Sequence, residues 1–118
     1  MTSYHDGVDK LRHEFIPASD WLGEAVPSLE RERLWPKVWQ VACREEEIPN
    51  IGDFVTYEIE NDSFLVVRVA ADEIRAFYNV CPHRGRRLKT AWNGNVANGI
   101  MCRFHAWRFD LEGKVSLI

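Results

Sequence analysis

The pattern of apolar and polar positions changes character near residue 39. Before it, Pro17, Gly23 and Pro27 interrupt any regular pattern. Ser28 could cap a helix, with Glu30 and Glu32 in its first turns favouring the positive end of the dipole. Leu34, Trp35, Val38 and Trp39 then fall on one helical face. Pro36 should break or restart that helix, since an interior proline costs roughly 3 kcal/mol. From Trp39 onward the chain reads as β. Residues 53–60 alternate only roughly, through Phe54, Thr56 and Ile59. Asn61-Asp62 supplies a turn, residues 63–70 form a strong β run, and Asp72-Glu73 turns the chain into residues 74–80. Asn93-Gly94 signals a tight turn. Residues 99–102 read as a short strand, residues 103–107 as a loop, and Glu112-Gly113 as a turn into a strand over 114–118. The expectation is a mainly β fold of consecutive antiparallel strands behind a short N-terminal helical segment, with no internal repeat. The division expected is 1–38 for the lead-in and 39–118 for the β domain.

Composition narrows the function classes. A chain of 118 residues suits one modest core, and 46% apolar with 28% charged residues is an ordinary globular balance. A net charge of −3 gives no global basic field, which argues against nucleic-acid binding. No apolar run approaches membrane-spanning length, and residues 1–10 lack the basic start and apolar stretch of a secretory signal. No membrane partner is expected, and the location expected is cytoplasmic. Three cysteines, an odd count, argue against a disulfide framework. Cys43 reads as a buried inert thiol, Trp35 and Trp39 as packing anchors, and His5 and His13 as solvated.

Two short motifs carry the chemistry. Cys81-Pro82-His83 and Cys102-Arg103-Phe104-His105 each supply one cysteine and one histidine from a loop. A C-x-H set paired with a C-x-x-H set lets each loop reach two different metal atoms. A two-iron cluster needs such reach, with two thiolates on one iron and two imidazoles on the other. A structural zinc site takes the same ligand types but usually spaces paired ligands by at least two residues, so the single residue between Cys81 and His83 fits it poorly. The plain alternative is two unrelated Cys/His pairs in turns. Charge counting explains the mixed set. Two ferric ions, two sulfides and two thiolates sum to zero when the imidazoles are neutral. Reduction then meets less repulsion, giving potentials of about −150 to +300 mV against about −400 mV for plant-type ferredoxins.

At these residues the sequence resembles the Rieske family. Cys81-Pro82-His83-Arg84-Gly85 and Cys102-Arg103-Phe104-His105-Ala106-Trp107 resemble the Rieske domain of aromatic-ring-hydroxylating oxygenase large subunits. So do the lead-in Glu32-Arg33-Leu34-Trp35-Pro36-Lys37-Val38-Trp39 and the segment Ile48-Pro49-Asn50-Ile51-Gly52-Asp53-Phe54. The resemblance runs from about Trp21 to Lys114. It implies a Rieske-type antiparallel β-sandwich with a [2Fe–2S] cluster held by two loops on Cys81, His83, Cys102 and His105. It implies supporting roles for Arg84, which would order the loop, and for Gly85, a turn that a side chain would obstruct. Trp107 would pack beside His105 or fill the core. High-potential Rieske proteins resemble a pattern with two further cysteines bridging the cluster loops. Cys43 is the only spare cysteine here, so the low end of the potential range is expected.

Phe104 and Ala106 stand where the family usually has Tyr and Gly, and Ala106 puts in doubt a positive φ there. The resembled subunits continue into a catalytic domain holding a mononuclear non-heme Fe(II) by two histidines and a carboxylate, and no such set is visible here. An N-terminal piece is therefore expected, with the fold's last strands beyond Ile118. The implied partners are a ferredoxin or reductase as electron donor and a catalytic oxygenase domain or subunit as acceptor. A stand-alone Rieske-type ferredoxin and a zinc-stabilised structural module are the alternatives. The long lead-in favours the oxygenase reading over the ferredoxin one. Arg84, Arg86, Arg87 and Lys89 form a basic cluster that is either a solvated loop or a docking surface for an acidic donor.

Overall fold

The computed structural model describes residues 15–118, so His5 and His13 lie outside the described residues. The chain divides into two units, Met1–Val38 and Trp39–Ile118.

In the first unit, α1 spans Ala18–Leu22 and α2 spans Ala25–Arg33, followed by a 3₁₀ turn over Trp35–Lys37. The residues that break the sequence pattern turn out to be boundaries. Pro17 precedes α1, and the Gly23 N–H closes it by donating to the Ser19 carbonyl at 2.8 Å. Ser28 is not the cap expected of it. Glu24 holds that position, and Pro27 sits in the first turn of α2, where its missing N–H leaves no bond unmade. Arg31 and Arg33 lie in the last turn, at the negative end of the dipole. The expected helical face through Val38 and Trp39 does not form. Pro36 cannot continue α2, the chain tightens to 3₁₀, and Val38 is extended at φ −119°. Trp39, expected to be a packing anchor, is 102% exposed, whereas Trp35 is half-buried.

The second unit begins without strand structure, contrary to the β reading from Trp39. A 3₁₀ turn at Glu45–Glu47 is its only regular element before residue 53. Seven strands follow: β1 Asp53–Ile59, β2 Asp62–Ala70, β3 Glu73–Tyr78, β4 Asn93–Asn95, β5 Ile100–Met101, β6 Arg108–Phe109 and β7 Val115–Leu117. They build two antiparallel sheets, ordered β3-β2-β1-β4 and β5-β6-β7. This is the antiparallel, mainly β architecture with a small helical part that the sequence implied.

The hairpin turns fall one residue earlier than expected. Ile59 pairs with Asp62, which leaves Glu60-Asn61 as the turn with Glu60 at φ +51°. Ala70 pairs with Glu73, leaving Ala71-Asp72. Asn93-Gly94 is no tight turn but part of β4, with Gly94 opposite Phe54. A Cβ on Gly94 would lie 3.0 Å from the Phe54 ring, so glycine is favoured there by close approach and not by a positive φ.

The loose alternation of β1 and β2 has a cause: these two central strands of the four-stranded sheet are buried on both faces. One face presents Phe54, Leu65 and Val67 to a core shared with Ile100 and Phe109 of the smaller sheet and with Cys81, Leu88, Val96 and Cys102. The other presents Val55 and Val66 to Ile48. That second core is pinned by Arg68, 7% exposed, whose guanidinium donates to the carbonyls of Ile48 (2.6 Å), Ala71 (3.0 Å) and Glu45 (3.5 Å). Cys43 is half-buried against the same cluster, not fully buried as expected. Burial, then Glu47 and Glu45, push its thiol up, which keeps it protonated and unreactive. Among the described residues no helix is long and apolar enough to cross a membrane.

Candidate metal centre

Two loops at one edge of the shared core carry the Cys/His motifs, and their backbones follow the same plan. In the first, the Cys81 N–H donates to the Arg86 carbonyl (2.7 Å) and the Gly85 N–H donates back to the Cys81 carbonyl (2.8 Å). In the second, Cys102 bonds to Trp107 (2.8 Å) and Ala106 to Cys102 (3.0 Å). Each loop therefore bonds its cysteine to the fifth residue on, and its fourth residue back to the cysteine. That fourth residue is left-handed in both, at φ +68° for Gly85 and +62° for Ala106. A Cβ on Gly85 would meet nothing within 4 Å. The glycine is thus favoured by backbone conformation and not by a lack of space, which corrects the expected obstruction. Ala106 adopts the positive φ that its side chain put in doubt. Arg84 is exposed, and the order of its loop is carried by these backbone bonds.

The equivalence extends to side chains that cross between the loops. Arg86 lies over the Phe104 ring, 5.7 Å from its centroid. Trp107 lies parallel to His83, with centroids 4.6 Å apart and planes 1° apart. In each case the fifth residue after one cysteine covers the second residue after the other. Trp107 also packs against the shared core, so it does fill the core, but the imidazole it faces is His83 and not His105.

The candidate ligands come together as two pairs. Cys81 and Cys102 are each 2% exposed and lie in the same buried cluster. His83 and His105 are exposed, with ring centroids 4.8 Å apart. The Phe104 amide N–H holds the Cys102 thiol below its usual range, helped by Cys81, the His105 amide and Arg86 and opposed by burial. A low thiol pKa favours the thiolate that a metal requires. Among the described residues no group of three His, Cys, Asp or Glu side chains is placed to hold a single metal ion.

One residue that the sequence reading missed fixes the first loop. Asn79, 3% exposed, donates to the Lys89 carbonyl (2.7 Å) and the Ser63 hydroxyl (3.0 Å), and accepts from the Lys89 N–H (2.8 Å). It ties the return limb of the loop to the sheet two residues before Cys81. The only sequence signal for it is a polar residue at the end of an apolar strand.

Fold and site together define a β domain that brings two equivalent Cys/His loops edge to edge. The profile of the Rieske [2Fe-2S] domain matches residues 38–118, and the chain belongs to that family. It is 39% identical over 101 residues to the carnitine monooxygenase oxygenase subunit of Escherichia coli K12, covering 86% of this chain and 27% of that one. It is 41% identical over 111 residues to the anthranilate 1,2-dioxygenase large subunit of Acinetobacter baylyi, covering 94% and 22%. Among solved structures, an apo quaternary ammonium Rieske monooxygenase superposes with a TM-score of 0.79 at 32% identity, covering 88% of this chain and 30% of that one. A Rhodococcus naphthalene 1,2-dioxygenase gives 0.77 at 34%, covering 87% and 23%. The chain is a Rieske domain of the kind found in oxygenase large subunits, and it spans about a quarter of those relatives' length. Its family implies a [2Fe–2S] cluster as resident cofactor. Two adjacent buried thiols behind two adjacent exposed imidazoles fit that cluster's mixed ligand set.

Proposed function

We propose that Cys81, His83, Cys102 and His105 hold the [2Fe–2S] cluster and that the domain relays single electrons within a Rieske oxygenase. The donor is a ferredoxin or reductase, and the acceptor is a mononuclear non-heme Fe(II) in a catalytic oxygenase domain or subunit. The observation that carries this reading is the sorting of the four side chains. The thiols lie inside and the imidazoles outside, on loops of equal backbone geometry. When bound, the cluster supplies one-electron redox chemistry. The chain's own residues shield its thiolate side with the shared core and leave the histidine edge open to partners. A carnitine monooxygenase oxygenase subunit and an anthranilate 1,2-dioxygenase large subunit match at 39% and 41% identity, so the electron relay is what such relatives share across different substrates. Cys43, the one cysteine outside the ligand set, has no disulfide partner in this sequence, which suits a reducing, cytoplasmic setting.

Metal analysis with visible and EPR spectroscopy tests the reading. Iron and acid-labile sulfide in equal amounts, with a Rieske signal on reduction, are expected. Zinc without sulfide would refute it. Imidazole ligands add a further signature, because each keeps a ring N–H that ionises more readily on ferric iron. Above the oxidised pKa the potential should fall by about 59 mV per pH unit for each coupled proton. A flat potential on an intact cluster up to strongly alkaline pH would exclude His83 and His105 as ligands.

A further inference from the structure

Charge is segregated along this chain. From Ile74 to Phe109 it carries seven arginines and lysines and no aspartate or glutamate, so its acidic surplus lies wholly outside that segment. Both Cys/His loops fall inside it.

Four of the seven, Arg86, Arg87, Lys89 and Arg103, line one open pocket of about 240 Å³ that draws residues from both loop regions. Residues 86–91 and Arg103 line it. Arg87 is engaged with Glu58 at 2.5 Å. Among the described residues no carboxylate pairs with Arg86, Lys89 or Arg103. Lys89 is half-buried, and its backbone N–H and carbonyl are both held by Asn79, which fixes where its side chain leaves the loop. Burial first, and then Arg103, push the Lys89 ammonium below its usual range. Two cations are thus held together where an anion would relieve the repulsion.

We propose that the pocket formed by Arg86, Lys89 and Arg103 is a carboxylate site that receives an aspartate or glutamate side chain from the acidic surface of the electron donor. The proposal rests on the electron-relay reading and places the donor there. Its surroundings favour a protein over a free anion. Arg86, one of its lining residues, lies over the Phe104 ring, which is 50% exposed, and an exposed aromatic covered by an arginine is the composition of a protein contact. Small-molecule sites are by contrast enclosed and mostly apolar. A charged rim of this kind acts chiefly on association rate.

The test uses the cluster-loaded chain in stopped-flow reduction by an acidic plant-type ferredoxin, with dithionite as a reductant that needs no docking. Lys89→Gln and Arg103→Gln should each slow ferredoxin reduction about tenfold at low salt and flatten its salt dependence. Both should leave the EPR spectrum and the dithionite rate unchanged. Lys37→Gln, the same charge change outside the segment, should leave all three unchanged. Intact spectra with unaltered ferredoxin rates in both variants, or equal slowing by Lys37→Gln, would overturn the pocket while leaving the relay standing. Saturable binding of inorganic phosphate that Lys89→Gln abolishes, without any effect of Lys89→Gln on ferredoxin, would assign the pocket to a free anion instead. Lack of a Rieske spectrum in the unaltered chain would count against the relay itself.

Discussion

The matched loops allow an exchange experiment. Gly85 and Ala106 occupy the same place in the two loops, at φ +68° and +62°, yet only one is glycine. An L-residue in the left-handed region costs roughly 1–2 kcal/mol in the folded state. Replacing glycine by alanine restricts the unfolded chain, which returns about 0.4–1 kcal/mol. Gly85→Ala should therefore lose roughly 0.5–1 kcal/mol net, because the new Cβ meets nothing within 4 Å and adds no clash. Ala106→Gly should gain a similar amount. In a domain of this size, 1 kcal/mol moves Tm by about 4–8 °C. The variants should accordingly melt roughly 2–8 °C below and above the parent. The double exchange, Gly85→Ala with Ala106→Gly, should return close to it. Scanning calorimetry on cluster-loaded protein at one fixed scan rate is the assay. Shifts of the same sign for the two single variants, or a lower Tm for Ala106→Gly, would refute the claim that backbone strain alone separates these positions.

Other contacts give further expected outcomes. Asn79→Leu leaves the Lys89 N–H and carbonyl without their side-chain partner, and urea unfolding should show a loss of about 2–4 kcal/mol. Arg68→Met strips the carbonyls of Ile48 and Ala71 of their donor and should cost about 2–4 kcal/mol in the same assay. Arg68→Lys should recover only part, because an ammonium cannot reproduce the guanidinium fork. Trp107→Leu removes the ring stacked on His83 and should change the EPR line shape and shift the potential, while Trp107→Phe should restore most of both. A Trp107→Leu variant with lowered stability but unaltered spectrum and potential would leave Trp107 a packing residue only.

What the sequence disclosed, and what it hid, follows from the range of the interactions involved. The long strands of the larger sheet were legible because their apolar runs are continuous, and two-sided burial is what makes β1 and β2 continuous. Their turns slipped by one residue because the polar signals at Asn61-Asp62 and Asp72-Glu73 extend into the following strand. Only the backbone shows that Glu60 takes the positive φ. Asn93-Gly94 misled because glycine has two uses. Here the absence of a Cβ makes room for Phe54, a residue some forty positions away in the chain. The Cys/His pairs were legible because metal chemistry ties ligand types to short spacings. Their shared geometry was hidden by those same spacings, since His83 is second after its cysteine and His105 third. Aligned on the hydrogen bonds instead, Phe104 takes the place of His83, and each is covered by the fifth residue of the opposite loop. The loops are therefore one backbone device used twice. The single-residue offset of the histidine sends the two imidazoles from equivalent loops to adjacent positions on the exposed edge, and so the asymmetry that concealed the repeat is also what brings the second pair of donors together.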